Sequence, residues 1–416
     1  MPDILKGVRI VDLSSVIAGP FATQMLGDLG ADVIKVERPA GDTVRQTGRA
    51  RRSGMSAMFL NNNRNKRSIC LDLKSDAGRK ALLRLIQGCD VCIHNIRPAA
   101  MKRLGLDWET LKRVNPRLIH VNIVGYGQDG PYAAYPAYDD MIQAAAALPS
   151  LTQQAGASAP RYVPIVIADR AASYAAVNAV LAALLQRGRD DAAQNVEVPM
   201  FEVMAQMVLS DHLSGRTYVP PISNAGYERL MSSKRQPFRT ADGVICALIY
   251  NDTNWRDFLA LAGYGHLFEM DPRFSSMTAR IKHIDELYSL AAEIFLTRPS
   301  AEWLELLKEA DIPVVRYISL DDLCDDPHLW ASGCLQKARH PTEGEILRVA
   351  SPIRWREGAP ELTERPAPHL GEHSREILVE FGFSPAEIEQ LAADRVLLQH
   401  DSEIETFSAA SPSKVE

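Results

Sequence analysis

The residues that could do chemistry begin with one carboxylate. Pro164-Ile165-Val166-Ile167-Ala168 is strand-like and runs into Asp169-Arg170, after which Ala171 to Leu185 carries almost no polar residue. A helix apolar nearly all round belongs inside a large core, so Asp169 is expected at the entrance to a buried helix. A carboxylate there can cap the helix, which is worth about 1 kcal/mol, or serve as a covalent nucleophile. Burial raises its pKa and the helix dipole lowers it. The residues alone leave both roles open.

Other candidates have competing readings. Tyr138-Asp139-Asp140 offers paired carboxylates, but Met141, Ala144 and Ala145 follow at helical spacing, as expected of an N-cap with first-turn acids. Lys35, Arg38, Arg67, Lys74, Arg97 and Arg103 lie at or just after expected strands. Ligands of an open parallel sheet gather outside the carboxyl ends of its strands. Basic residues there suit a multiply phosphorylated ligand or ordinary surface ion pairs. Gly125 to Gly130 fits G-x-G-x-x-G, yet Pro131 to Pro136 follows and cannot open the helix that a dinucleotide requires. Cys89 and Cys92, with His94 nearby, lack a second pair at ligand spacing. They read as small apolar residues of a buried strand, so no metal is expected. His94, His120 and His373 share no obvious partner, and no G-x-S-x-G marks a serine nucleophile.

These residues must be positioned by an alternating chain. Strands are expected at 7–13, 32–37, 67–73, 90–94, 118–124 and 194–198, with helices at 21–29, 75–87, 99–104, 108–113 and 201–213. That alternation predicts an α/β fold with a mostly parallel sheet. The pattern restarts at Phe238, with a strand at 244–250, helices at 254–262, 283–296 and 300–309, and an extended segment at 312–318. A returning strand at 348–356 and a helix at 372–381 follow, and the end from Asp401 is polar. We therefore expect a large domain from residues 1–200 and 326–416, a linker at 201–225, and a smaller α+β domain at 226–325.

The chain has 416 residues, a formal net charge of −6 and 24% charged residues. That length points to two domains, and the acidic balance argues against nucleic acid as a partner. No apolar run reaches the roughly 18–20 residues of a membrane span, and the first residues lack a signal-peptide core. Six scattered cysteines read as reduced thiols, which implies the cytoplasm.

Several blocks together resemble the class III CoA-transferases, the CaiB/BaiF family. They are residues 5–13, 18–20 with 29–39, 65–74, 94–98, 115–119, 125–131, Ala168-Asp169, 240–243 and 371–378. The resemblance spans nearly the whole chain. It implies a large Rossmann-like parallel-sheet domain with a smaller α+β domain, the ring-shaped chain interlocking with a second copy in a homodimer. It places the catalytic aspartate at Asp169, with Tyr138 and Asp139 in support. It places coenzyme A at Val16, Ala18, Arg38, Leu71, Lys74, Asn95, Ile96 and Arg103. The partners it implies are an acyl-CoA and a carboxylic acid, the CoA thioester being a substrate and no cofactor bound permanently. The implied activity is CoA transfer through an aspartyl intermediate. The alternatives are an α-methylacyl-CoA racemase-like isomerase and a non-catalytic acyl-CoA-binding protein. The chain departs from the oxalate enzymes at Ile17, at Pro136 and at 223–231, where a run of glycines is missing. Formyl or oxalate specificity is not expected, and Ile17 suggests a bulkier or less polar acid. The racemases carry His-Asp where this chain has Tyr138-Asp139, so one acid/base group of a racemase is missing.

Overall fold

A computed structural model describes residues 3–357 and 364–398. The expected tail from Asp401 lies outside these residues. The chain divides into two compact units, one of residues 1–124, 172–198 and 336–416 and the other of 125–171 and 199–335. Residues 125–171, which carry Tyr138, Asp139 and Asp169, thus group with the second unit.

The first unit is built on a seven-stranded sheet. Its strands are β1 (Arg9–Asp12), β2 (Asp32–Glu37), β3 (Lys66–Leu71), β4 (Val91–His94), β5 (Ile119–Val124), β6 (Gln194–Pro199) and, last in the chain, β12 (Leu397–Leu398). Their order is β12-β3-β2-β1-β4-β5-β6. Apart from β12, that is the order of a doubly wound dinucleotide-type fold. β1 runs parallel to β2 and β4, with Val11 beside Ile34 and Cys92; β12 is antiparallel to β3. The chain reverses its direction of travel at β1, so the crevice between the ends of β1 and β4 is the switch point where such sheets bind ligands. Strands β3, β4 and β5 are buried at every position, as expected of a sheet covered on both faces. Their core takes in Ile69, Leu82, Leu85, Leu111, Ile377 and Leu378.

Helix α1 (Ala18–Asp28) begins earlier than the periodicity predicts, because Gly19 and Pro20 lie in its first turn. Proline is tolerated there because its missing N–H would have had no helical partner. The expected returning strand at 348–356 is instead a hairpin of β10 (Leu335–His340) and β11 (Gly344–Val349), a separate two-stranded sheet.

The second unit holds a three-stranded sheet of β7 (Phe238–Arg239), β8 (Val244–Ala247) and β9 (Val314–Arg316), with β8 between antiparallel neighbours. Helices Asp252–Leu261, Ile284–Phe295 and Ser300–Glu309 cover it. Trp255, Phe258, Phe295 and Trp303 form an aromatic core. Among the described residues no helix is long and apolar enough to cross a membrane.

Candidate active site

A short helix and a long one set the acidic site. Helix α2 (Asp139–Ala145) starts at Asp139, with Tyr138 as its N-cap residue. Gly125, just past β5, lets the loop fold back: a Cβ there would lie 2.3 Å from Ala137 Cβ. The G-x-G-x-x-G segment opens no helix. It is held by Glu202, which accepts from the Gly127 N–H at 2.9 Å, and by Tyr126 packed against Tyr132, Tyr135 and Phe201.

Residues 164–168 are not a strand. Helix α3 runs from Ile167 to Asp190, which puts Asp169 inside the first turn rather than at the cap. The approach is pinned by Gln143, fully buried on α2. Its Oε1 accepts from the Val163 N–H at 2.9 Å, and its Nε2 donates to Asp139 Oδ2 at 2.6 Å and to the Ile165 carbonyl at 3.3 Å. Pro164 contributes no N–H, so this one side chain organises the turn into the helix. Replacing Gln143 by leucine strands the Val163 N–H and an oxygen of Asp139. The expected cost is about 2 kcal/mol of stability, readable by denaturant unfolding.

Asp139 and Asp169 are brought together. Asp139 is 7% exposed, and its Oδ1 accepts from the Asp169 backbone N–H at 3.0 Å. Asp139 thus caps the helix that Asp169 was expected to cap, and the Asp169 carboxyl is not needed for that task. Burial pushes Asp169 up, the Asp139 charge adds to it, and Arg170 opposes, leaving the carboxyl at about 7. A half-buried carboxylate beside a like charge is a more basic, more nucleophilic group than an ordinary aspartate. Tyr138 is 74% exposed; its backbone starts α2 while its ring stands in the open.

The expectation that α3 is buried all round is corrected. Ala172, Ala176, Val177, Val180 and Ala183 are buried, whereas Tyr174 and Leu185 on other faces are 51% and 73% exposed. Its apolar residues are mostly alanines, which fit a close-packed face without requiring burial of the whole circumference.

In the first unit, the switch point gathers four of the expected CoA positions. Val16 and Ala18 follow β1, and Asn95 and Ile96 follow β4. Arg38, Lys74 and Arg103 are exposed beyond β2, beyond β3 and at the end of helix Pro98–Arg103. Leu71 is 0% exposed and belongs to the core, so it presents no surface. Ala18 and Ile17, each at 2%, also face inward.

Two of the basic candidates are already occupied. Lys35 is fully buried, donating to Asp42 Oδ2 and the Ser14 carbonyl, both at 3.0 Å. Arg67 pairs with Asp32, Glu376 and Glu380. Neither is an open phosphate ligand, since the second half of the chain and the adjacent loop supply carboxylates that the strand pattern does not reveal.

Beneath the switch point lies a buried charged network. Asp12 accepts from Lys66 Nζ at 3.1 Å, from Thr23 Oγ1 at 2.6 Å and from both the amide and the hydroxyl of Ser14. Burial works to raise Asp12, but Lys66, Lys35 and the two hydroxyls outweigh it and hold the carboxyl at about 2. Burial, with Lys35 adding to it, brings Lys66 down to about 8 despite Asp12. Lys66 bonds Asp12 directly while Lys35 bonds Asp42 and acts on Asp12 only through its charge.

The histidines without an obvious partner find each other. His94 Nε2 and His120 Nε2 are 2.8 Å apart, and His120 Nδ1 meets Asn195 Oδ1 at 2.7 Å. The Ile96 N–H donates to His94 Nδ1, so the chain of donors runs from Ile96 through both neutral rings to Asn195. Burial and then His120 hold His94 down at about 3, so the pair stays neutral. His373 Nδ1 accepts from the Ser68 N–H. The Cys89 and Cys92 thiols are buried, which pushes Cys92 up to about 12, as expected of packing residues.

Comparison with known proteins identifies the family. CoA-transferase family III matches residues 5–374. A succinate–glutarate CoA-transferase of Agrobacterium fabrum is 32% identical over 90% of this chain and 95% of its own length. A formyl-CoA:oxalate CoA-transferase of Streptomyces coelicolor is 33% identical, covering 94% and 99%. A crystallised CaiB/BaiF family protein from Brucella suis is 30% identical, with a TM-score of 0.76 over 92% of this chain and all of its own. The chain belongs to CoA-transferase family III, and its activity is CoA transfer.

Proposed function

We propose that Asp169 is the nucleophile of the transfer. Its carboxylate attacks the thioester carbonyl of an acyl-CoA, expelling CoA thiolate and forming a mixed anhydride. The thiolate then attacks the aspartyl carbonyl, giving an aspartyl-CoA thioester and releasing the donor acid. An acceptor carboxylate attacks that thioester, and the same two steps in reverse deliver acyl-CoA and restore the aspartate. Activation passes from acid to acid, so no ATP is consumed and no cofactor is held permanently.

The observation that carries this reading is the placement of Asp169: half-buried, its amide held by Asp139, its carboxyl raised to about 7. Arg38, Lys74 and Arg103 would receive the phosphates of coenzyme A, with Val16, Ala18, Asn95 and Ile96 along the switch point and Leu71 behind them. Tyr138 and Asp139 support the acyl end. The relatives that act on succinate, glutarate and oxalate favour a carboxylic or dicarboxylic acid as acceptor. Ile17, buried in this chain, carries no information on the acid. We place the enzyme in the cytoplasm, where six free cysteines stay reduced, and as an interlocked homodimer.

Incubation with acyl-CoA and hydroxylamine, followed by peptide mass analysis, tests the intermediate. The expected product is a hydroxamate at Asp169. No adduct, together with exchange of the α-proton in deuterated water, would instead mark an isomerase. The nucleophile must be ionised, so kcat/KM for the acyl-CoA is expected to rise through about pH 7 and then level. A profile flat from pH 5 to 9 would contradict that role.

A further inference from the structure

The loop after β1 contains a conformation that side chains of its type avoid. Val16 has φ of +70°. For a β-branched residue this is a strained backbone, persisting only where the surroundings over-determine it. Here they do. The Ser14 N–H donates to Asp12 at 2.9 Å, and the Ser14 carbonyl accepts from Lys35 at 3.0 Å. Ser15 is gripped twice by Asn95, whose Oδ1 accepts its N–H at 3.0 Å and whose Nδ2 donates to its carbonyl at 2.8 Å. The Val16 N–H points between the two oxygens of Asp42, at 3.1 and 3.3 Å.

Asp42 is itself fixed. It is 5% exposed, its amide donates to Glu37 Oε2 at 3.0 Å, and its carboxylate also accepts from Lys35 and from the Val44 N–H. Asp42 therefore joins β2, by its side chain to Lys35 and by its amide to Glu37, to the one strained residue of the β1 loop. The Asn95 amide is likewise engaged with Ser15, so a role in holding coenzyme A falls to its neighbours and to the loop it shapes.

We propose that Asp42 is a positioning residue for coenzyme A: it locks Val16 in the left-handed conformation and so pre-forms the loop that receives the ligand. The proposal rests on the reading of Val16 as a CoA contact. A loop already held in its strained form gives up no ordering entropy on binding, and that is the gain expected of pre-organisation.

The test is a double-mutant cycle read by calorimetric titration with free coenzyme A, together with steady-state kinetics. Asp42→Asn keeps the shape and removes the charge. It is expected to raise the Kd for coenzyme A by about 10-fold and the KM for acyl-CoA similarly, with the KM for the acceptor acid unchanged. Val16→Gly makes the left-handed conformation accessible without strain, so in that background Asp42→Asn is expected to cost no more than about 3-fold. An equal loss in both backgrounds would mean that Asp42 is merely structural and would overturn the proposal. Hydrogen exchange on the wild-type enzyme needs no variant to fold. The amides of Ser15 and Val16 are expected to be protected without ligand as well as with it; fast exchange that slows only on adding coenzyme A would overturn the pre-formed loop. If wild-type enzyme fails to bind coenzyme A, the CoA reading falls and this proposal with it. Binding without coupling removes only the proposal.

Discussion

Asp169→Asn is expected to abolish CoA transfer, lowering kcat by about 10⁴-fold or more, as removal of a covalent nucleophile does. The same variant is expected to be more stable than the parent above neutral pH, which separates a lost nucleophile from a damaged fold. The carboxyl rises from an ordinary 3.8 to about 7 in the folded chain. The fold therefore binds the proton more tightly than the unfolded chain does. Its stabilising effect is full below pH 3.8 and is lost as the pH climbs through 7. Above that the folded protein carries an ion that burial and Asp139 disfavour. Asparagine carries no charge, so the gain should be about 1–3 kcal/mol at pH 8, several degrees or less in Tm, and near zero at pH 4. Thermal unfolding at the two pH values measures it. An Asp169→Asn protein with full activity, or with no pH-dependent gain, would remove Asp169 from the position argued for it.

The second large effect is structural. Asp12→Ala is expected to destabilise the first unit by about 3–5 kcal/mol, because it leaves Lys66 buried beside Lys35 with no carboxylate between them. Asp12→Leu combined with Lys66→Met should recover at least half of that loss, since the surviving Lys35 keeps Asp42. The pH dependence has the opposite sign to that of Asp169. Asp12 is held at about 2, so its contribution is present above pH 3.8 and disappears as the pH falls through 2. Acid unfolding of the parent and the double variant should therefore converge near pH 2. If the single and double variants were equally unstable at pH 7, the unpaired-charge argument would fail.

What could be read beforehand divides along physical lines. β1, β4 and β5 are legible as short, largely apolar runs bounded by glycine and by helical periodicity, whereas β6 shows only Val196 and Val198 in alternation. The carboxylate at 169 was legible as a chemical oddity next to an apolar stretch. The start of α3 was not: Ile165, Val166 and Ile167 favour extended backbone, and the clamp that overrides them comes from Gln143, twenty residues or more away in sequence. Lys35 looked like a phosphate ligand because nothing local shows Asp42 folding back over it. His94 and His120 looked unrelated because their pairing depends on the neighbouring positions of β4 and β5. In each case a contact that local propensity does not reveal decides the outcome.

The last strand has a consequence for how the protein is made. β3, buried along its length, has β2 on one side and only β12 on the other. The segment that seals it includes the Arg365 carbonyl on Asn65, the His373 amide on Ser68, and Leu397–Leu398 along Cys70 and Leu71. A nascent chain on the ribosome must therefore carry β3 as an open edge while some three hundred residues are still being synthesised. Emergence of residues 364–398, rather than of the first 124 residues, is then the event that closes this sheet. Chaperone dependence should track the integrity of residues 364–398.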